Sequence, residues 1–188
     1  MEETGETGVP HDGPGRQEPA GPPPASGLQP GTIRYPLLLS TIERQFLLDL
    51  EGVHGRPHWK RVLENGIRLA PLTGAKQPVV ELFALIHDAR RVSDTEDRDH
   101  GLRAAAFALS LAGNAFQLEK EDLDLLLFAC RDHSHGQLQA DVTIQTCWDA
   151  DRLDLGRIGI RPLPEMLCTE AARDPILLSW AFRRSRET

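Results

Sequence analysis

The sequence has few cysteines, no excess of positive charge and no long apolar run. Its three cysteines, Cys130, Cys147 and Cys168, are an odd number without the paired spacing of a zinc site or a disulfide framework. The formal net charge of -7 argues against binding to a nucleic-acid duplex, which needs a basic surface to neutralise phosphates. No stretch approaches the roughly 20 apolar residues that cross a bilayer, so no membrane span is expected.

The N-terminal segment lacks a targeting signal and a regular apolar pattern. It opens Met-Glu-Glu-Thr-Gly-Glu, with no basic start and no apolar run, so we expect a cytoplasmic protein with reduced thiols. Residues 1–30 are dominated by Gly, Pro, Glu and small polar residues, which bury too little apolar surface to offset the entropy of ordering. We therefore predict a disordered tail over residues 1–30 and one folded domain over residues 31–188. A His11-Asp12 pair in the tail has no apolar helix around it and is not expected to bind metal.

Helical periodicity dominates the rest of the chain. Apolar residues recur at three- and four-residue steps, Pro and Gly mark the ends of these segments, and no run alternates as a strand would. The pattern predicts an all-α bundle with helices over about residues 35–52, 58–69, 78–91, 100–113, 120–132, 141–156 and 175–184. Segment 78–91 is apolar nearly all round until its last turn, which predicts a central, buried helix.

Most of the histidines and several aspartates fall at the end of one of these apolar helices. In a bundle, helix ends can direct side chains towards one point, and metal sites are built in this way. Imidazole nitrogens and carboxylate oxygens suit divalent manganese, iron, cobalt, nickel or zinc, and thiolates are too few for a structural zinc site. The sequence therefore predicts an open, catalytic type of metal site.

Three segments resemble, in order and spacing, the His…His-Asp…Asp pattern of the HD superfamily of metal-dependent phosphohydrolases. They are His58-Trp-Lys-Arg-Val, Ala-Leu-Ile-His87-Asp88 and Asp149-Ala-Asp151-Arg-Leu-Asp154, and the resemblance spans residues 51–160. It implies a single HD-type helical bundle whose metal ligands are His58, His87, Asp88 and Asp151. His58 matches better than His54 because a basic residue and a valine follow it, and Asp149 is the alternative to Asp151.

The resemblance also suggests further site residues. Some members of the superfamily hold a second metal with extra histidines, for which His100, His133 and His135 are the candidates here, although one ion is favoured over two. Four arginines lie near the expected ligands in sequence and are candidates for binding substrate phosphate: Arg90, Arg91, Arg103 and Arg152. A guanidinium group matches phosphate oxygens, but ordinary surface ion pairs are an equally good interpretation.

The function implied by the resemblance is hydrolysis of a phosphoester, with Asp88 in a catalytic role at the metal. We predict a phosphomonoesterase or pyrophosphohydrolase that acts on a small phosphorylated substrate, with nucleotides as the favoured class. Two alternatives stay open: a di-iron oxygenase of the same fold, which needs the extra histidines as ligands, and a non-catalytic, metal-bound ligand sensor. The chain shows no Gly-Tyr-Pro signature of cyclic-dinucleotide phosphodiesterases and no synthetase domain of alarmone enzymes, which argues against those two substrates. The sequence does not predict an oligomeric state.

Overall fold

The computed structural model describes Met1 and residues 28–187, so most of the predicted tail, including His11 and Asp12, lies outside the described residues. Within this part of the chain the structure is helical, without a sheet. The helices are α1 (Tyr35–Gln45), α2 (Arg56–Thr73), α3 (Gln77–Ile86), α4 (His100–Leu111), α5 (Lys120–Asp132), α6 (Val142–Arg152), α7 (Glu170–Arg173) and α8 (Pro175–Arg184). Two 3₁₀ turns, Leu155–Ile158 and Pro164–Met166, follow α6. The predicted all-α class is confirmed.

Helix α3 lies at the centre of the bundle and contacts α2, α5 and α6. Its side chains are buried almost without interruption from Val79 to Ile86, as its apolar sequence predicts. Burying an aliphatic or aromatic side chain of this size stabilises the fold by about 1.5–3 kcal/mol, so α3 anchors the core. Because α3 ends inside the molecule, His87 and Asp88, which follow it directly, are also buried.

Several helix ends differ from the predicted positions. Helix α1 ends at Gln45 because Phe46 adopts extended backbone (ψ 130°) and turns its ring against Trp59, with the ring centroids 5.0 Å apart. Helix α2 continues through Pro71 and ends at Gly74, whose φ of 77° is left-handed and suits glycine. Helix α3 ends earlier than predicted, at Ile86, although His87 keeps helical dihedral angles and the chain then continues in a turn.

Glycines allow close approach between the helices that carry the candidate site. A Cβ on Gly101 of α4 would lie 2.5 Å from the backbone oxygen of Arg131 in α5. A Cβ on Gly66 of α2 would lie 2.4 Å from Cγ1 of Val80 in α3. Such distances are shorter than carbon contacts allow, so these helices pack as closely as they do because a side chain is missing.

Among the described residues, no helix combines the length and the apolar character that a membrane-spanning helix needs.

Candidate metal centre

Five helices direct six histidine and aspartate side chains to one point inside the bundle. They are His58 in the first turn of α2, His87 and Asp88 after α3, His100 at the start of α4, His133 after α5 and Asp151 in the last turn of α6. The four histidines and Asp88 are buried, and the side chain of Asp151 is 14% exposed. Residues far apart in sequence therefore form one compact cluster.

The first group of donor atoms contains the four residues that the sequence predicts as ligands. Nε2 of His58 lies 3.1 Å from Nε2 of His87. Oδ1 of Asp151 is 3.4 Å from the first of these nitrogens and 3.7 Å from the second. Oδ2 of Asp88 is 3.5 Å from Nε2 of His58 and 3.7 Å from Nε2 of His87. The ligand atoms of His58, His87 and Asp88 lie close enough together to hold one metal ion, and Asp151 forms a similar group with His87 and His133.

The second group of donor atoms lies on the other side of the Asp88 carboxylate. Its Oδ1 atom is 3.5 Å from Nε2 of His100 and 3.6 Å from Nε2 of His133, and these two nitrogens are 2.8 Å apart. Asp88 therefore presents one oxygen to each group. The third predicted extra histidine, His135, does not join them, because its side chain is half exposed and pairs with Asp132 at 3.3 Å.

The far nitrogen of each histidine fixes its orientation. Each Nδ1 faces an oxygen that can only accept a hydrogen bond, so each Nδ1 carries a proton and leaves a lone pair on Nε2 in the neutral ring. The acceptors are the carboxylate of Asp154 for His58 (2.7 Å) and backbone oxygens for the others: Phe83 for His87 (3.1 Å), Asp97 for His100 (2.5 Å) and Cys130 for His133 (2.8 Å). All four Nε2 atoms thus direct lone pairs at the cluster.

The surroundings keep most of these groups in the protonation state that a metal needs. Burial lowers the pKa of His58 and His87, and it lowers the pKa of His100 to about 4, so these rings are neutral near pH 7. Burial alone would raise the pKa of Asp88, but the neighbouring imidazoles, His87 foremost, hold it well below its usual range. His133 differs: burial opposes its charge, yet its hydrogen bond to Asp88 raises its pKa overall.

Two features of the cluster fit a cation: an unpaired buried carboxylate oxygen and imidazole nitrogens that face each other. Oδ1 of Asp151 is buried without a hydrogen-bond partner among the described residues. The neutral rings of His58 and His87 direct their Nε2 lone pairs at each other over 3.1 Å, which is repulsive unless a cation lies beside both nitrogens. Imidazole nitrogens with carboxylate oxygens are the donor set of divalent transition metals. The residues therefore suit the metal that the sequence predicts.

His54 contacts the cluster without belonging to either donor group. Its Nδ1 donates a hydrogen bond to Oδ2 of Asp88 at 2.9 Å, and its Nε2 lies 3.3 Å from the backbone oxygen of Asp94. The sequence pattern favours His58 over His54 as a ligand, and in the structure His58 belongs to a donor group whereas His54 contacts Asp88 from outside it. The proximity of His54 to Asp88, 34 residues later, had no signal in the sequence.

Asp149, the alternative to Asp151, lies outside the donor groups. Its carboxylate accepts hydrogen bonds from the backbone nitrogens of Cys168 (2.7 Å) and Thr169 (2.8 Å) and from the Thr169 hydroxyl (2.7 Å). Two residues along a helix correspond to about 200° of rotation, so Asp149 and Asp151 face nearly opposite directions. As a ligand, the alternative prediction is corrected: Asp149 holds the segment before α7 in place.

The four predicted phosphate-binding arginines divide into two pairs. Arg90 and Arg103 are used elsewhere: the first donates to Gln45, and the second binds the carboxylate of Asp97 and the backbone oxygen of Arg90. Their assignment to phosphate is not supported, because proximity in sequence did not bring them to the cavity. Arg91 and Arg152 do line the cavity beside the cluster.

Both of these cavity arginines have protein partners. Arg91 donates from Nε and Nη2 to backbone oxygens of Ser93 and Thr95, and its Nη1 lies 3.3 Å from Nε2 of His100. The two terminal nitrogens of Arg152 donate to the backbone oxygens of Gln137 (2.7 Å) and Met166 (3.1 Å), which joins two loops. Arg152 therefore shapes the cavity wall.

A further arginine, Arg157, lies at the site but was not predicted. It belongs to the 3₁₀ turn after α6, and its Nη1 is 3.9 Å from Oδ1 of Asp151. The cavity that it lines, together with Asp88, Asp151, His100 and His133, has a volume of about 580 Å³. The cavity is large enough for a small phosphorylated molecule next to the donor groups.

Comparison with known proteins identifies the fold. No protein-family model matches the sequence, and no curated protein matches it. A solved crystal structure is similar: that of a predicted HD superfamily hydrolase from an uncultured Thermotogales bacterium. The two share 21% sequence identity with a TM-score of 0.61, over 80% of this chain and 86% of that chain. The chain therefore shares the fold of that structure, which is the HD-type helical fold that the His…His-Asp…Asp resemblance implies.

Proposed function

We propose that the protein is a metal-dependent phosphohydrolase that acts on a small phosphorylated molecule, with nucleotides as the favoured class. The observation that carries this proposal is the convergence of His58, His87, Asp88 and Asp151 next to a cavity that the two aspartates line together with guanidinium groups. The solved protein with the same fold is itself described as a predicted hydrolase. Anionic donors for a cation and cationic groups for a phosphate lie side by side in this cavity.

The roles of the residues follow from their contacts. When bound by these donors, a divalent ion polarises a phosphoryl oxygen and lowers the pKa of water, which is the chemistry that phosphoester hydrolysis needs. His58 and His87 present Nε2 because Asp154 and the Phe83 carbonyl oxygen hold their Nδ1 protons. Asp88, the predicted catalytic residue, is oriented from outside the donor groups by its hydrogen bond from His54.

The second donor group supports a second ion, although the sequence favoured one. Asp88, His100 and His133 would hold this second ion, and Asp88 would also serve the first donor group through its other oxygen. We expect two equivalents of manganese in the wild-type protein by elemental analysis, and one in His100→Ala. One equivalent in both proteins would instead agree with the single ion favoured from sequence.

The second donor group also supports a second candidate function, the di-iron oxygenase, because that activity requires the extra histidines as ligands. Iron-reconstituted protein that consumes oxygen, and releases no phosphate from any ester, would favour it.

The experiment that tests the hydrolase is phosphate or pyrophosphate release from nucleoside mono-, di- and triphosphates after reconstitution with manganese, cobalt, nickel or iron. We expect metal-dependent turnover that is lost in Asp88→Ala and kept in Asp124→Ala, an exposed aspartate on α5. Protein with bound metal but no release from any ester would contradict the proposal. Tight binding of one ester without turnover would favour the sensor.

A further inference from the structure

The cavity beside the donor groups offers a terminal guanidinium nitrogen, on Arg157, that no described residue of the protein uses. Arg157 donates from Nε to the backbone oxygen of Val53 at 2.9 Å and from Nη1 to the backbone oxygen of Asp154 at 3.2 Å. Among the described residues, its Nη2 has no partner, whereas all three nitrogens of Arg91 and both terminal nitrogens of Arg152 have one. The side chain is only 8% exposed and its Nη1 lies 3.9 Å from Oδ1 of Asp151, so the guanidinium group is held in a fixed place beside the donor groups.

Two carboxylates line the same cavity without a cationic partner. Asp94 and Glu165 are exposed, and within the described part of the chain neither carboxylate forms a hydrogen bond or an ion pair. Their backbones are fixed by residues of the site: His54 contacts the oxygen of Asp94, and Arg152 donates to the oxygen of the residue after Glu165. The cavity therefore presents negative charge that does not belong to the donor groups.

The rest of the cavity wall is apolar. Leu138, Leu155, Ile158 and Met166 line it on the side formed by the loop after α5 and the two 3₁₀ turns. Such a surface suits the uncharged organic part of a ligand, and its side chains offer further phosphate groups neither a hydrogen-bond donor nor a positive charge.

We propose that this site selects phosphate monoesters over diphosphates and triphosphates. Arg157 contacts the single phosphoryl group, the apolar wall takes the organic part, and Asp94 and Glu165 repel any additional phosphate. The inference rests on the proposed phosphohydrolase function and narrows it to a phosphomonoesterase. In the reaction, water adds to phosphorus, the ester P–O bond breaks, and the leaving oxygen takes a proton, which yields inorganic phosphate and an alcohol.

The selectivity comes from electrostatic repulsion between the two carboxylates and any phosphate group other than the one that reacts. Each added phosphoryl group brings at least one more negative charge, and like charges placed across a binding site disfavour the wrong ligand. Both carboxylates are exposed, so salt screens them, and the selectivity must fall as ionic strength rises. Selectivity by shape alone would not depend on salt in this way.

The kinetic test compares kcat/KM for AMP, ADP and ATP at saturating free manganese. We expect the wild type to prefer AMP, and the ratio of AMP to ATP to fall about fivefold for each of Asp94→Asn and Glu165→Gln, since an exposed charge interaction is worth about 1 kcal/mol. Glu170→Gln is the matched control, because this exposed glutamate lies in α7, outside the cavity. The proposal would be overturned if kcat/KM were higher for ADP or ATP than for AMP. It would also be overturned if the ratio of AMP to ATP stayed unchanged in the double variant Asp94→Asn/Glu165→Gln.

A binding test separates this inference from the proposed function. Methylphosphonate and methylenediphosphonate carry one and two phosphoryl groups and have no ester bond for water to break. Calorimetry at saturating free manganese should show tighter binding of the first, and the preference should shrink in Asp94→Asn/Glu165→Gln. Arg157→Gln should weaken the binding of methylphosphonate about tenfold and leave the manganese content of the protein unchanged. If the protein prefers methylphosphonate but releases no phosphate from any ester, the proposed hydrolase function is rejected and the selectivity stands. If it binds both phosphonates equally, the selectivity is rejected.

Discussion

The hydrogen bond between His58 and Asp154 decides which imidazole nitrogen faces the donor atoms. Nδ1 of His58 lies 2.7 Å from Oδ2 of Asp154, and Nε of Arg61 binds the other carboxylate oxygen at 2.6 Å. A carboxylate can only accept, so the proton stays on Nδ1 and the lone pair stays on Nε2. Asp154 would therefore act on a bound metal through His58, without being a ligand itself.

Replacing Asp154 by asparagine should weaken metal binding. The amide of asparagine can donate to Nδ1 of His58, which moves the ring proton to Nε2 and removes the lone pair from the donor group. Loss of such a partner typically lowers metal affinity about 10- to 100-fold. Titration of the apoprotein with manganese would measure it, with the conservative Arg61→Lys as the companion variant, because it keeps the charge beside Asp154. Unchanged affinity in a folded Asp154→Asn protein would contradict this role.

The residues of the site differ in how far the sequence predicts them. His58, His87, Asp88 and Asp151 form one donor group, and each was identified by a short pattern around it. The arginines had no such pattern, and their proximity to the ligands in sequence was not enough. On a helix or turn, one residue changes the direction of a side chain by about 100°, so Arg90 and Arg91 diverge although they are adjacent.

At the scale of helices, the second donor group depends on how closely α4 approaches α5. His100 begins α4, His133 follows α5, and Gly101 packs its Cα against the backbone of α5. A Cβ at this position would lie 2.5 Å from the Arg131 oxygen and 2.7 Å from the Cys130 oxygen. Backbone atoms cannot rotate away as a side chain can, so the two helix ends must separate if the glycine is replaced.

Gly101→Ala should therefore destabilise the protein and impair the second donor group together. Overpacking of this kind costs about 1–3 kcal/mol, and a shift of the α4 start would move Nε2 of His100 away from Nε2 of His133. We expect lower stability in urea and the loss of one of two manganese equivalents. Ala106→Gly on the exposed side of α4 is the control, since it costs about 1 kcal/mol of helix propensity without moving the helix. Two retained equivalents in Gly101→Ala would show that the approach does not position His100.

The helices themselves were largely predictable, and their ends were less so. Periodicity and proline positions predicted α5 and α8 with their observed bounds, because both have clear first turns and apolar stripes. The end of α1 depends on the packing of Phe46 against Trp59, which is a tertiary contact. Local pattern cannot reveal a helix end that a distant residue determines.

For the whole molecule, the cluster is a cost to folding unless a cation is bound. Folding brings four imidazole lone pairs and two carboxylates from five helices into a buried volume, where no other described residue satisfies Oδ1 of Asp151. The unfolded chain has no such arrangement, so a metal ion held by this cluster would bind the folded state preferentially. Binding of a metal there would therefore stabilise the folded protein.

Bound metal should raise the melting temperature of the wild-type protein. At a free manganese concentration 100 times the dissociation constant, linkage contributes about 2.7 kcal/mol, which is a rise of about 5–10 °C for a domain of this size. Thermal scans with manganese and with a chelator would measure the rise. Asp88→Asn should show little of it, because Asp88 contributes an oxygen to both donor groups. Asp124→Asn keeps both groups and should respond as the wild type does. An equal rise in Asp88→Asn would mean that manganese stabilises the protein from another place, and the cluster would lose its role as the metal centre.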